Sequence, residues 1–125
     1  MLQESKAFSS FSFQNIDEAK SFYELLGLTV KVEEMGILSI EMNGSSNIML
    51  YPKENHEPAT FTVLNFPVVN IENAVDELIQ KGVKFEQYHS DYIQTDEKGI
   101  SSGAQGPKIA WFKDPSGNIL SILEI

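Results

Sequence analysis

The stretch Phe11–Ala19 (FSFQNIDEA) recurs further along the chain as Phe66–Ala74 (FPVVNIENA), an offset of 55 positions. In both copies, alternating apolar residues typical of a strand lead into Asn-Ile-acid-x-Ala and then into an amphipathic helical pattern. A glycine closes each pattern, Gly27 in the first copy and Gly82 in the second. A repeat of this length is one supersecondary unit copied once, so the sequence predicts two modules packed into one pseudo-symmetric domain.

The composition fits a single domain. The chain has 125 residues, of which 42% are hydrophobic, and this is enough to bury a core without covalent or metal cross-links. We place module one at about residues 6–51, a linker at about 52–58 and module two at about 59–125 of the 1–125 domain.

Charge and cysteine content exclude several classes of partner and chemistry. The net charge of −9 is spread along the chain, which disfavours nucleic acid and anionic membranes as partners. The absence of cysteine excludes disulfides, thiolate nucleophiles and Cys-ligated metals. No apolar run approaches the roughly 18 residues of a membrane-spanning helix. The first six residues also lack the pattern of a signal peptide, so we expect a cytoplasmic protein.

Local patterns extend both copies into β-α-β-β-β modules, an α+β fold class. Asn15 is a predicted helix N-cap, and the helix after it has an apolar stripe at Ala19, Phe22, Tyr23 and Leu26. Predicted strands follow at 28–33, 37–42 and 47–51. Module two has a predicted strand at 60–69, a helix with its stripe at Ala74, Val75, Leu78 and Ile79, and returning strands beginning at 83–88, 108–113 and 119–125.

Residues 90–106 depart from the symmetry of the two copies. This stretch is long, polar and rich in glycine and serine, which indicates either a functional or a mobile loop. Its aromatic and charged residues fit either a lid over a binding site or a solvated surface. Beyond it, Asp114-Pro115-Ser116-Gly117 predicts a tight turn between the last two strands.

With two β-α-β-β-β modules, the chain resembles the vicinal oxygen chelate superfamily, which includes glyoxalase I, fosfomycin-resistance proteins, extradiol dioxygenases and bleomycin-resistance binding proteins. The resemblance is carried by Phe22–Leu28 (FYELLGL) and Ala110–Asn118 (AWFKDPSGN) and covers about residues 6–124. Within the superfamily, the chain most resembles small bacterial glyoxalase-like proteins without assigned activity. The resemblance implies a mixed sheet that curls around a cleft.

Enzymes of this superfamily generally hold a divalent metal through up to four side chains, often His and Glu. Carried over residue by residue, these ligand positions fall on Phe8, Val63, Ser121 and either Met49 or Leu50. Only Ser121 offers an oxygen donor, and a neutral serine is a poor ligand for a hard cation. The resemblance therefore predicts that an ancestral metal centre has been lost and that the protein uses no metal or other cofactor.

A relocated metal site is the alternative. It would use His56 and His89 with nearby carboxylates, although neither histidine has an acidic neighbour at helical i,i+4 spacing. With such a site, the chain would be a metal-dependent lyase or dioxygenase. A metal-free enzyme with His56 or a carboxylate as general base is a further form of this alternative, and we assign no catalytic residue.

The remaining candidates describe a small-molecule pocket. If the sheets curl around a cleft, the inward face is apolar with a few hydroxyls and one amide, which is typical of such a site. The single tryptophan fits either a stacking wall for a planar or cationic ligand or ordinary packing. The candidate pocket residues are Phe8, Ser10, Ser12, Tyr51, His56, Val63, Asn65, Tyr92, Trp111 and Ser121.

We therefore expect a metal-free protein that binds a small molecule in an apolar cleft. A homodimer is expected from the resemblance and from the need to cover open sheet edges. A cleft plugged by its own side chains would instead indicate an interaction module.

Overall fold

Each half of the chain folds as one β-α-β-β-β module. A computed structural model, which describes residues 1–103 and 106–125, divides the chain into unit 1, Met1–Glu57, and unit 2, Pro58–Ile125. Each unit holds one four-stranded mixed sheet and one α-helix. The predicted α+β class and two-module fold are confirmed. Within the described residues, none of the helices is long and apolar enough to cross a membrane.

Unit 1 has the sheet order β1-β4-β3-β2. β1 pairs in parallel with β4, and the β4–β3 and β3–β2 pairs are antiparallel. Short 3-10 turns lie at Leu2–Glu4 and Glu34–Gly36. The elements are β1 (Ser10–Phe13), α1 (Ile16–Leu25), β2 (Val30–Val32), β3 (Leu38–Ile40) and β4 (Ile48–Pro52). β4 thus includes Pro52, which lies within the predicted linker.

Unit 2 repeats this order as β5-β8-β7-β6, again with a parallel first pair. Its elements are β5 (Thr62–Val68), α2 (Ile71–Gln80), β6 (Ile100–Ser101), β7 (Ile109–Lys113) and β8 (Ile119–Glu124). The β5–β8 register shifts between Thr62 and Leu64, so Val63 is the extra residue of a β-bulge.

Both helices begin at the asparagines of the repeated motif. The side-chain oxygen of Asn15 accepts a hydrogen bond from the Glu18 backbone N–H at 3.0 Å, and Asn70 accepts one from Asn73 at the same distance. Each cap satisfies one of the backbone donors that a helix leaves unpaired at its start. The N-cap predicted at Asn15 is therefore confirmed.

A glycine in the left-handed backbone region follows each helix. Gly27 has φ 93° and Gly82 has φ 97°, a conformation that glycine adopts without the steric cost of a Cβ atom. α2 buries Ile71 and Val75. The stripe predicted for α2 is wrong at its last member, because Ile79 is 44% exposed.

Period-two alternation gives the unit 1 sheet one buried and one open face. The buried face carries Phe11, Phe13, Leu38, Ile40, Ile48 and Leu50. The residues between them, such as Ser39 and Met49, point the other way and are partly exposed. We call this second side the open face of unit 1.

The strand predicted to begin at 83–88 is wrong. Only Phe85 pairs there, as an isolated bridge to Phe112, and the chain then leaves the sheet. It returns at β6, where Ile100 pairs with Ala110 further along β7. The position beside β7 is therefore filled by two separated pieces of chain. The predicted 90–106 loop contains β6, and its positions 104 and 105 lie outside the described residues.

An ion pair ties the segment between these two pieces to α2. Lys98 Nζ lies 2.9 Å from Asp76 Oδ1 on α2, and the hydrogen bond to this carboxylate raises the pKa of Lys98.

The predicted tight turn after β7 is confirmed, since the Gly117 N–H donates to the Asp114 carbonyl at 3.0 Å.

Candidate functional site

A groove of about 570 Å³ opens in unit 1. Its lining residues are Lys6, Phe8, Glu33, Ile37, Ser39, Ser45, Ser46, Asn47, Ile48 and Met49. A smaller recess of about 230 Å³ adjoins it and shares Phe8, Ser45, Ser46 and Ile48 with it. The groove combines an apolar floor with hydroxyl and amide groups, and its volume lies in the range of small-molecule sites.

Backbone pairing explains why residues from distant parts of the sequence meet in this groove. The Met49 N–H donates to the Ser9 carbonyl at 3.1 Å, which holds the chain before β1 alongside β4. Met49 also lies between Ser10 and Ser39 in the register of the sheet. Phe8 precedes β1 and leaves 60% of its surface exposed, so its ring is available to a ligand.

The loop between β3 and β4 forms one margin of the groove. Asn47 Oδ1 accepts a hydrogen bond from the Met42 N–H at 3.1 Å and closes the base of the loop. Ser45 and Ser46 then line the groove from the loop itself.

Charged groups lie at the groove and at the neighbouring sheet edge. Lys6 and Glu33 contribute one charge of each sign to the lining. Lys31, which is paired with Ser39 in the register, has its Nζ atom 2.8 Å from Glu41 Oε1. The hydrogen bond to Glu41 raises the pKa of Lys31.

The register decides which residue of β4 occupies the fourth superfamily ligand position. The 55-residue offset of the repeat aligns Asn65 of unit 2 with Ser10 of unit 1. Asn65 pairs with Ser121, and Ser10 pairs with Met49, so Met49 is the counterpart of Ser121. Leu50, the other candidate, is fully buried on the opposite face. By this register, the fourth position that the resemblance implies falls on Met49, and Phe8 and Met49 line the same groove.

The two ligand positions of unit 2 also carry no metal-binding group. Val63 is the bulged residue of β5 and is half-buried. Ser121 is fully buried, and its hydroxyl donates to Asn65 Oδ1 at 2.5 Å. Trp111 pairs with Ser121 on the other side, and its ring meets that of Tyr88 edge-to-face at 5.5 Å.

The residues at these four positions do not fit a divalent metal ion. They offer a phenyl ring, a thioether, an isopropyl group and a hydroxyl that already donates to an amide, whereas hard cations need several oxygen or imidazole donors. Across residues 1–103 and 106–125, no three His, Cys, Asp or Glu residues are grouped so that they could hold a metal ion. The described part of the chain therefore contains no cluster of donor groups for the relocated site of His56 and His89.

His56 instead joins Ser12. Ser12 Oγ and His56 Nδ1 are 2.6 Å apart, and either can donate, depending on the histidine tautomer. Ser12 is buried, whereas Ser10, two residues earlier on the same side of β1, is exposed. Tyr51 pairs with Ser12 in the register, so the structure brings Ser12, Tyr51 and His56 together.

Tyr92 lies apart from these groups. It is 95% exposed and borders a separate recess of about 450 Å³ in unit 2. Asp96, which also borders this recess, uses its Oδ1 atom to accept hydrogen bonds from the backbone of Lys98 and Ile100. This carboxylate therefore shapes the turn before β6, and a role of the loop as a lid stays a prediction.

Sequence reasoning missed several groove residues. The alternation of Ile37 and Ser39 with the buried Leu38 and Ile40 could have assigned the first two to the open face. Met49 needed the strand register. The margin at 45–47 carries no pattern in the sequence that points to a groove.

Comparison with known proteins places this geometry in a wider context. Residues 11–122 match the family model of the Glyoxalase/Bleomycin resistance protein/Dioxygenase superfamily. A comparison with curated proteins found no match.

Solved structures share the fold at low sequence identity. A bleomycin-binding protein complexed with bleomycin is 16% identical, with a TM-score of 0.71 and coverage of 97% of this chain and 98% of that chain. A bleomycin resistance determinant encoded on the transposon Tn5 is 15% identical, with a TM-score of 0.67 and coverage of 96% and 97%. A hypothetical protein from S. aureus is 18% identical, with a TM-score of 0.69 and coverage of 98% and 94%.

Proposed function

Because the chain belongs to the Glyoxalase/Bleomycin resistance protein/Dioxygenase superfamily, we propose that it binds a small, partly apolar organic molecule in the groove of unit 1 without a metal ion. One observation carries this proposal. Phe8 and Met49, at the two superfamily ligand positions of unit 1, line a single groove of about 570 Å³ with apolar side chains.

The chemistry of the lining supports an organic ligand with a flat apolar part. An exposed aromatic ring offers a large contact area, and a methionine beside it adapts to irregular shapes and packs well against aromatic groups. Ser39, Ser45 and Ser46 add hydroxyl groups that can orient a polar substituent. Burying the ring of Phe8 against a ligand would remove apolar surface from water and so favour binding.

The fold neighbours support the same class of ligand. One of them is complexed with bleomycin, and this chain covers 98% of it, although only 16% of the residues are identical. Bleomycin therefore belongs in the first panel of probes, together with planar aromatic compounds that carry one polar group. On unit 2, Asn65 and Trp111 stay candidate contacts for a ligand.

Methionine methyl NMR tests the proposal directly. The chain has four methionines, at positions 1, 35, 42 and 49, and only Met49 lines the groove. We expect a binding compound to shift the Met49 methyl signal most strongly. We expect Phe8→Ala to weaken the affinity of the protein for this compound by about tenfold. Phe61→Ala is the matched control, because Phe61 is 68% exposed but does not line the groove, and the affinity of this variant for the compound should stay unchanged. Binding that leaves Met49 unshifted, or that Phe8→Ala does not weaken, would contradict the proposal.

We further propose a cytoplasmic homodimer. β1 and β2 end the sheet of unit 1, and β5 and β6 end that of unit 2, so both sheets present edges that a second copy could cover. The absence of cysteine is compatible with a reducing compartment.

A further inference from the structure

We propose that Asn43 and Gly44 form a spontaneous modification site at which deamidation reshapes the margin of the unit 1 groove. Asn43 is the only asparagine in the sequence that is followed by glycine. Both residues lie in the bend between β3 and β4, whose next residues, Ser45 and Ser46, line the groove.

The local structure leaves this pair free to react. Asn43 and Gly44 are exposed, and a Cβ atom built on Gly44 would meet nothing within 4 Å. Within the described part of the chain, no hydrogen bond or ion pair engages the Asn43 side chain. Asn47 Oδ1 accepts from the Met42 N–H and holds the base of the loop, which leaves the bend between them able to change its backbone angles.

Several other asparagines are held by side-chain hydrogen bonds. Asn15 and Asn70 cap helices, Asn65 accepts the Ser121 hydroxyl, and Asn118 donates its side-chain amide to the buried Asp114. Each of these bonds keeps the asparagine side chain away from the geometry that the reaction needs. Asn55 is exposed, but His56 follows it, and the Cβ of histidine hinders the backbone nitrogen that would have to attack.

The reaction needs no cofactor. The backbone nitrogen of Gly44 loses its proton and attacks Cγ of Asn43. The Cγ–Nδ2 bond of the side-chain amide then breaks, and the departing nitrogen takes up a proton and leaves as ammonia. This closes a five-membered succinimide. Water then opens the ring at one of its two carbonyl groups and gives either aspartate or isoaspartate at position 43. Glycine favours the first step because it lacks a Cβ and samples backbone angles that other residues avoid.

Both products change the loop that borders the groove. Each adds one negative charge beside Ser45 and Ser46, and isoaspartate also lengthens the backbone by one methylene group. Because Asn47 fixes the base of the loop, the added length must be absorbed in the bend that lines the groove. An effect on ligand affinity rests on the proposed function, whereas the modification and the change in loop structure do not.

Peptide mapping by mass spectrometry tests the modification. The purified protein is incubated at mildly alkaline pH and 37 °C, where attack by the backbone nitrogen is favoured. We expect Asn43 to gain about 1 Da roughly tenfold faster than Asn55, and Gly44→Ala to slow the conversion by a similar factor. A urea-denatured sample serves as reference for the unfolded rate. An Asn43 that stays intact in the folded protein while the denatured sample converts would overturn the proposal.

A ligand-free NMR measurement tests the structural consequence. In protein aged until Asn43 has converted, we expect shifted methyl signals for Met42 and Met49 and unchanged signals for Met1 and Met35. Unchanged Met42 and Met49 signals would overturn the claim that the modification reshapes the groove margin. Because no ligand is added, this result is distinguishable from a failure of the proposed binding function.

Discussion

Two serines on the same side of β1 differ in burial and in hydrogen bonding. Ser12 is buried and lies 2.6 Å from His56 Nδ1, whereas Ser10 is exposed. We expect Ser12→Ala to lower the free energy of unfolding by about 1 kcal/mol, because it removes a partly buried hydrogen bond that ties the chain after β4 to β1. Ser10→Ala is the matched control and should be close to neutral. Urea titrations of both variants measure the difference, and equal stability would show that the Ser12–His56 contact contributes nothing.

A single carboxylate organises the turn between β7 and β8. Asp114 is buried, and its Oδ1 accepts hydrogen bonds from the N–H groups of Ser116 and Asn118 at 2.9 and 3.0 Å. Its Oδ2 accepts one from the Asn118 side chain at 2.9 Å. We expect Asp114→Ala to lower the free energy of unfolding by about 3 kcal/mol, since it leaves buried donors unpaired. Asp114→Asn keeps one acceptor and should cost less, so an equal loss for both variants would contradict this account.

At the level of elements, the placement of β6 depends on one glycine. Gly99 has φ 88°, and a Cβ atom there would lie 2.8 Å from the Phe85 Cβ and 3.0 Å from the Glu86 carbonyl oxygen. We expect Gly99→Ala to cost about 2 kcal/mol or more, from backbone strain together with this overlap. Gly44→Ala, at a site with open space, is the control and should change stability little. Thermal unfolding of the two variants checks the prediction, which a neutral Gly99→Ala would contradict.

Elements with local signals were predictable, and elements set by distant pairing were not. The cap at Asn15 and the stop at Gly27 depend on neighbours within a few residues, so the sequence locates α1 closely. Phe85 and Ile100 lie side by side along β7 although fourteen residues separate them, and no local pattern specifies this. Propensity places a strand at 83–88, but tertiary pairing ends it after a single bridge.

At the scale of the whole molecule, the candidate site was predictable only in part. The superfamily resemblance located Phe8, whereas the choice of Met49 over Leu50 needed the register of β4 with β1. The contact between Ser12 and His56 joins residues 44 positions apart. Such contacts follow from the packed fold and not from spacing along the chain.

The proposed homodimer is a property of the whole chain and has a direct test. Light scattering coupled to size-exclusion chromatography should give twice the 14.0 kDa chain mass. A second copy would cover sheet edges that otherwise expose unpaired backbone groups. A mass equal to one chain at micromolar concentration would contradict the dimer and leave the groove of unit 1 as the site to test in a monomer.

Metal content decides between the two main functional readings of the fold. The four superfamily ligand positions carry Phe8, Met49, Val63 and Ser121, and their donor groups cannot replace the water molecules around a hard divalent cation. We therefore expect protein purified from metal-supplemented culture, and dialysed without chelator, to hold less than about a tenth of an equivalent of Zn, Ni, Mn, Fe or Co by elemental analysis. A value near one metal per chain would contradict the metal-free proposal. The metal content of His56→Ala and His89→Ala would then be measured, since a relocated site would need either an imidazole ligand or a set of carboxylates.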